Sequence, residues 1–202
     1  MRAAPEKRSP GRPRGFDRDA ALRAAVLVFW RKGYEGASLA DLTEAMEISK
    51  PTLYAAFGDK EALLREAVHM YMGVHAEAYS AAINLPSARQ VAEAWLRLTG
   101  GVREEAGVPP GCLLVQGALV GTQASQVIQQ ELASIRNEGT RYLEERLQRA
   151  KSEGDLPGSW EPGPLAMYLS ALACGLAVQS SGGVSSEVLN RAVDQLMANW
   201  PD

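Results

Sequence analysis

Residues 36–64, GASLADLTEAMEISKPTLYAAFGDKEALL, constrain the fold of this chain more than any other stretch. Ser38 opens a short helix, and Asp41 stands three residues on, close to a capping box in which side chain and backbone satisfy each other's free groups. Leu39, Leu42 and Met46 give that helix one apolar face. Ser49 opens a second helix with Leu53 and Phe57 inward, and Gly58-Asp59 ends it and caps a third that begins at Lys60. Two short helices across a tight turn have the geometry of a helix-turn-helix. The first, about 38–45, braces against a duplex backbone. The second, about 49–55, sets its N-terminal end in the major groove, where each base pair shows its own donor and acceptor pattern.

The second helix starts with Ser49-Lys50-Pro51-Thr52, and Tyr54 follows one turn from Lys50. Two hydroxyls, a cation and a proline suited to an early helical position allow close approach to phosphates and base edges. Ser38 and Lys60, also at helix starts, are placed to clamp neighbouring phosphates. The net charge of −3 looks unsuited to a nucleic-acid partner, but the charge is unevenly spread. Residues 1–16 hold five cations (Arg2, Lys7, Arg8, Arg12 and Arg14) against Glu6, a net +4, which leaves −7 on the rest. A basic arm on an acidic body holds nucleic acid at one end and avoids it elsewhere.

The rest of the chain reads as helical. Asp17 or Asp19 caps a helix bearing Leu22, Ala25, Val26 and Phe29, with Gly33 as a stop, and Trp30 and Tyr34 fill a small core. The helix from Lys60 runs toward Ala82 with Leu64, Val68, Tyr71, His75 and Ala78 on one stripe. Further helices are expected after Pro86-Ser87 to about Val102, over Leu113 to Thr122, over Gln126 to Ser152, and at about 163–180 and 185–199. In the Gln126 helix, Ile128, Leu132, Ile135, Tyr142 and Leu147 lie on one side. The expected fold is therefore all-α, about nine helices. It comprises a flexible basic arm (1–16), a three-helix DNA-binding domain (17–60) and a larger helical domain (61–202), to which the family resemblance given below assigns sensing and dimerisation. The apolar run from Leu165 to Val178 is too short for a bilayer and reads as a buried helix, and no signal peptide is visible. Two cysteines, Cys112 and Cys174, form no metal motif, and His69 and His75 lie on poorly matched faces, so no metal or cofactor is expected. A reduced cytoplasmic setting follows.

At Gly11-Arg-Pro-Arg-Gly-Phe-Asp, Ser38-Leu-Ala-Asp-Leu and Ile48-Ser-Lys-Pro-Thr-Leu-Tyr-Ala-Ala-Phe-Gly-Asp-Lys-Glu-Ala-Leu the chain resembles the DNA-binding domain of TetR-family transcriptional regulators. The likeness covers roughly 11–64 at many fixed positions; beyond it only helical character and order match. It implies a homodimeric, all-helical, ligand-responsive regulator, most often a repressor, that binds a palindromic double-stranded operator. It also implies that Ser38, Ser49, Lys50, Pro51, Thr52, Tyr54 and Lys60 lie at the DNA. Arg12 and Arg14 suit a narrow minor groove, which attracts arginine; the other reading of the arm is a solvated tail adding non-specific attraction. Glu47 departs from the family's usual turn glycine: either the turn differs or it carries about 1 kcal/mol of left-handed strain.

The two last helices read as a dimer interface through Leu165, Leu169, Leu172 and Leu176, and through Val188, Leu189, Ala192 and Leu196. A closed monomer core is the competing reading. The central helices are expected to hold an inducer pocket from Tyr71, His75, Tyr79, Trp95, Cys112, Val115, Leu119, Ile128 and Met167. The Gly111-Cys-Leu-Leu segment resembles a subgroup in which cysteine senses electrophiles or oxidants; the alternative is a small buried apolar residue. Rival functions are an architectural DNA-binding protein without ligand and a cysteine-dependent enzyme pairing Cys112 with His75, for which no supporting motif exists.

Overall fold

The computed structural model describes residues 17–102, 107–117 and 125–200. The arm with Arg12 and Arg14, Leu119, and the end of the expected Leu113–Thr122 helix lie outside the described residues. Among the described residues there are nine helices and no strand.

Short polar side chains set the helix starts. Asp17 caps α1 (Arg18–Gly36) by accepting from the amides of Asp19 and Ala20. Ser38 and Asp41 form a complete capping box on α2 (Leu39–Ala45). Ser49 caps α3 (Lys50–Phe57) and Asp59 caps α4 (Lys60–Ile83). Gly33 is less a stop than a kink: its backbone turns to φ 66° and one further helical turn follows. A second capping box, Ser87 with Gln90, opens α5 (Ala88–Thr99). The chain continues through α6 (Leu113–Gln116), α7 (Gln126–Ser152), α8 (Pro162–Ser181) and α9 (Ser186–Met197).

Two apolar cores share these helices. The first joins α1, α2 and α3 to the first three turns of α4, with Phe29, Leu42, Leu53, Leu63 and Leu64 fully enclosed. It extends to Cys112, Leu113, Ile128 and Leu132, so the three N-terminal helices are continuous in packing with the body. The second joins α5, α7, α8 and α9 around Val91, Leu143, Leu147 and Leu169. Arg65 on α4 ties the two halves by pairing with Glu131 on α7 at 2.8 Å.

The loop before α6 is gripped at its neck. Gly101 and Gly111, both at positive φ, press backbone on backbone where no β-carbon fits. Ser180 of α8 accepts from the Gly111 amide at 3.1 Å and donates to the Gly101 carbonyl at 3.3 Å. This fixes Cys112, the residue that starts α6, against α8.

Three expectations from sequence are corrected here. Tyr142 points outward, 48% exposed, because its hydroxyl reaches Glu138 on the same helix. The α8 helix has 20 residues at mean hydropathy 1.2, long and apolar enough by length and composition to cross a membrane, yet it packs against α5, α7 and α9. Leu165, Leu169 and Leu189 are enclosed within the single chain (Leu169 at 0%), so they cannot meet a partner; Leu172, Leu176 and Leu196 are half-buried against the same core. Tyr168, Ala171, Gly175 and Val178 form the outer stripe of α8, and Val188 and Ala192 that of α9.

Candidate nucleic-acid interface and effector cavity

The start of α3 is built to be approached. Ser49 Oγ accepts from the Thr52 amide at 3.2 Å and lies 2.8 Å from Thr52 Oγ1, which leaves the first turn capped by hydroxyls. Leu53 and Phe57 anchor the opposite face in the core. Ser49, Lys50, Pro51 and Tyr54 are exposed together, and the Lys50 ammonium sits 5.9 Å from the Tyr54 ring centre. Thr52 is half-buried beside them. The helix dipole adds partial positive charge at this end. Ser38, exposed at the start of α2, and Lys60, at the start of α4, flank the reader. The Lys60 ammonium lies over the Tyr34 ring at 4.4 Å, and burial lowers its pKa.

The turn between α2 and α3 holds its shape by strain. Glu47 has φ 54°, the one non-glycine residue at positive φ among the described residues. The glutamate thus adopts the conformation that glycine takes without penalty, and the helix-turn-helix keeps its form.

Two cations that the sequence reading missed fasten this head. Arg18 Nη2 donates to both Glu66 carboxylate oxygens (2.8 and 2.7 Å) and to the Ala56 carbonyl at 3.2 Å, while its guanidinium lies 4.4 Å over the Phe57 ring. It therefore locks the end of the reader helix to α1 and α4. Lys32 meets Asp41 at 2.6 Å; this bond first, then those from Ser38, hold the Asp41 carboxyl down at about 2. Arg18 joins segments far apart in sequence, and Lys32 reaches from α1 across the bend to α2, so helical periodicity points to neither.

The body encloses a cavity of about 890 Å³. Its wall runs along α4 from His69 to Asn84 and includes Tyr79, Trp95, Cys112, Val115 and Met167 from the expected set. Tyr71, His75 and Ile128 are not on that wall. Tyr71 and His75 meet edge to face at 4.5 Å, and Tyr71 meets Trp30 of α1 at 4.9 Å, an aromatic cluster beneath the DNA head. Ile128 is enclosed in the first core at 1% exposure. Cys112, 4% exposed, accepts from the Tyr71 hydroxyl at 3.5 Å. Cys174 also lines the cavity, and burial raises its pKa. Arg136 and Arg146 stand on the wall as well; Arg146 was legible as a cation in register with Leu143, Leu147 and Ala150. Among the described residues no group of acidic, histidine or cysteine side chains is placed to hold a metal ion.

A capped, exposed reader helix braced by a second helix and carried on a long third one defines a helix-turn-helix DNA-binding protein. The profile described as "Bacterial regulatory proteins, tetR family" matches residues 21–67. The HTH-type transcriptional repressor ComR of Escherichia coli (strain K12) is 31% identical over 198 residues, covering 97% of this chain and 94% of ComR. The HTH-type transcriptional repressor BdcR of the same organism is 41% identical over 71 residues, 35% of this chain and 36% of BdcR. A cysteine mutant of the TetR family transcriptional regulator CifR, complexed with 26 bp double-strand operator DNA, superposes with a TM-score of 0.86. It is 43% identical and covers 94% of this chain and 100% of its own. The chain belongs to the TetR family of bacterial regulatory proteins: it is a DNA-binding regulator of transcription, not an enzyme.

Proposed function

We propose that this protein is a cytoplasmic repressor that binds a palindromic operator as a homodimer and is released by a small molecule or thiol-reactive compound in the central cavity. One observation carries the reading: α4 is a single unbroken helix whose start, at Lys60, closes the DNA head and whose later turns, from His69 to Asn84, wall the cavity. Whatever reshapes the cavity wall acts on the spacing of the two readers. The operator complexes of CifR mutants support the DNA half of the reading.

In this reading Ser38, Ser49, Lys50, Pro51, Thr52, Tyr54 and Lys60 touch the duplex, and Arg12 and Arg14 of the arm follow the minor groove. The domains are the arm, a head over 17–60 and a sensing and dimerisation body over 61–202. The dimer forms through the outer stripe of α8 and α9, where Tyr168, Val178 and Val188 are 52%, 40% and 46% exposed. Tyr79, Trp95, Val115 and Met167 contact the effector, and Cys112 supplies the thiol for reactive compounds.

Selection of bound sequences from a random DNA pool tests this directly. An enriched inverted repeat, released by cavity ligands or thiol reagents, is the expected result. Binding without any sequence preference would leave an architectural protein instead.

A further inference from the structure

Arg146 is 4% exposed on α7, in the middle of an apolar core. Its Nε donates to the Ile83 carbonyl at 3.0 Å, and its Nη2 to the carbonyls of Leu85 and Pro86 at 2.8 and 3.1 Å. Its Nη1 has no acceptor among the described residues. No carboxylate among the described residues pairs with it. Glu138 and Glu145, on the same wall, are turned to Arg141, and Arg149 is turned to Glu153. Arg136, also on the wall, donates to the Leu114 carbonyl. Buried charge of one sign without a counter-charge is costly, and it persists where an anion completes it. A second buried donor without an acceptor among the described residues, Nε1 of Trp95, belongs to a residue of the same wall. Tyr79, Ile83 and Met72 supply apolar and aromatic surface on the same wall, beside polar residues such as Ser80, Asn84 and Glu145.

We infer that the cavity takes an organic acid: an apolar body lying among Tyr79, Trp95 and Met72, and a carboxylate received by the Arg146 guanidinium. The inference rests on reading the cavity as an effector site and adds the chemical class of the effector. Charge-assisted hydrogen bonds from a guanidinium are about twice as strong as neutral ones, so the acid group decides selectivity. The volume of about 890 Å³ accommodates a molecule well beyond a simple metabolite fragment.

The test uses the full chain without DNA and calorimetric titration near neutral pH. The probes are decanoate, 1-decanol and decylammonium below their micellar concentrations, with 4-phenylbutyrate as a second acid. Decanoate is expected to bind about tenfold tighter than the alcohol, and the ammonium weakest. In Arg146→Gln the ratio of acid to alcohol affinity should fall to about one. Arg146 also fastens residues 83–86, so thermal unfolding of the variant is recorded, and the order of the three probes on the native chain decides the matter by itself. Equal affinities, a reversed order, or no binding by either acid overturns the inference. A selection of operator DNA runs in parallel. DNA selectivity without acid preference removes the acid site alone, whereas acid preference without DNA selectivity removes the regulator reading and leaves the site.

Discussion

The Tyr71 hydroxyl donates to the Cys112 thiol across 3.5 Å, and the same phenol ring meets Trp30 edge-on at 4.9 Å. A residue on the cavity wall is thereby one side chain removed from the helix that opens the DNA head. Modification of the thiol breaks this contact and pushes on the ring behind it. Thiol-reactive compounds are expected to weaken operator binding about tenfold or more in the native protein and to leave Cys112→Ser unaffected. Gel-shift titrations before and after treatment check this; a serine variant that still lets go of DNA rules Cys112 out.

Asp41 sits between Lys32 and the Ser38 cap, which together lower its carboxyl from 3.8 to about 2. A folded-state pKa below the unfolded one means the ionised form favours the native state. That contribution is complete above the ordinary value of 3.8 and fades as the pH falls toward 2. Asp41→Asn should therefore flatten the loss of stability across this window. Urea midpoints between pH 5 and pH 2 give the comparison, and parallel curves for the two proteins would discount the Lys32–Asp41 pair.

Glu47 holds φ 54° in the turn before the reader helix. Glycine adopts that geometry freely, so Glu47→Gly is expected to stabilise the chain by about 1 kcal/mol, less the extra entropy of an unfolded glycine. It also removes a negative charge beside α3, so operator affinity should rise most at low salt. Thermal unfolding reads the first effect. No gain in midpoint would place the strain elsewhere.

Lys50 and Tyr54 share the exposed face of α3 but should fail differently. Lys50→Ala is expected to weaken binding to every sequence and to reduce the slope of log affinity against log salt by about one. Tyr54→Ala should relax preference at one base pair with the slope unchanged. Salt titrations on the selected operator and on single-base variants separate the two; identical behaviour would deny them distinct roles.

The outer stripe of α8 offers a direct check of pairing. Val178→Asp places a charge in the middle of an apolar face and should turn a dimer into a monomer without lowering helical content. Sedimentation at micromolar concentration is the measurement. A native chain that is monomeric there, or a variant that stays paired, discards this surface.

Helix starts were legible because a cap is a local event. Ser38 with Asp41, Ser49, Asp59 and Ser87 each satisfy free amides within a few residues. Direction of burial was harder. The α8 helix is apolar almost all round, so periodicity cannot say which leucines face the chain's own core; Leu165 and Leu169 do. Tyr71 and His75 sit on the expected stripe, but a stripe says only that a face is covered, not by what; here the cover is Trp30. Arg18 acts on groups distant in sequence and Lys32 reaches from α1 to α2, so periodicity names neither partner; Arg146 is in register with the α7 core, but its carbonyl partners lie far along the chain.

The uninterrupted length of α4 has a mechanical consequence. Its 24 residues, at about 1.5 Å each, make a rod of about 36 Å. A swing of about 5° about the cavity end carries the other end through about 3 Å, close to the roughly 3.4 Å between stacked base pairs. A rearrangement too slight to disturb the core can thus put a reader out of step with its half-site by nearly one rung of the duplex.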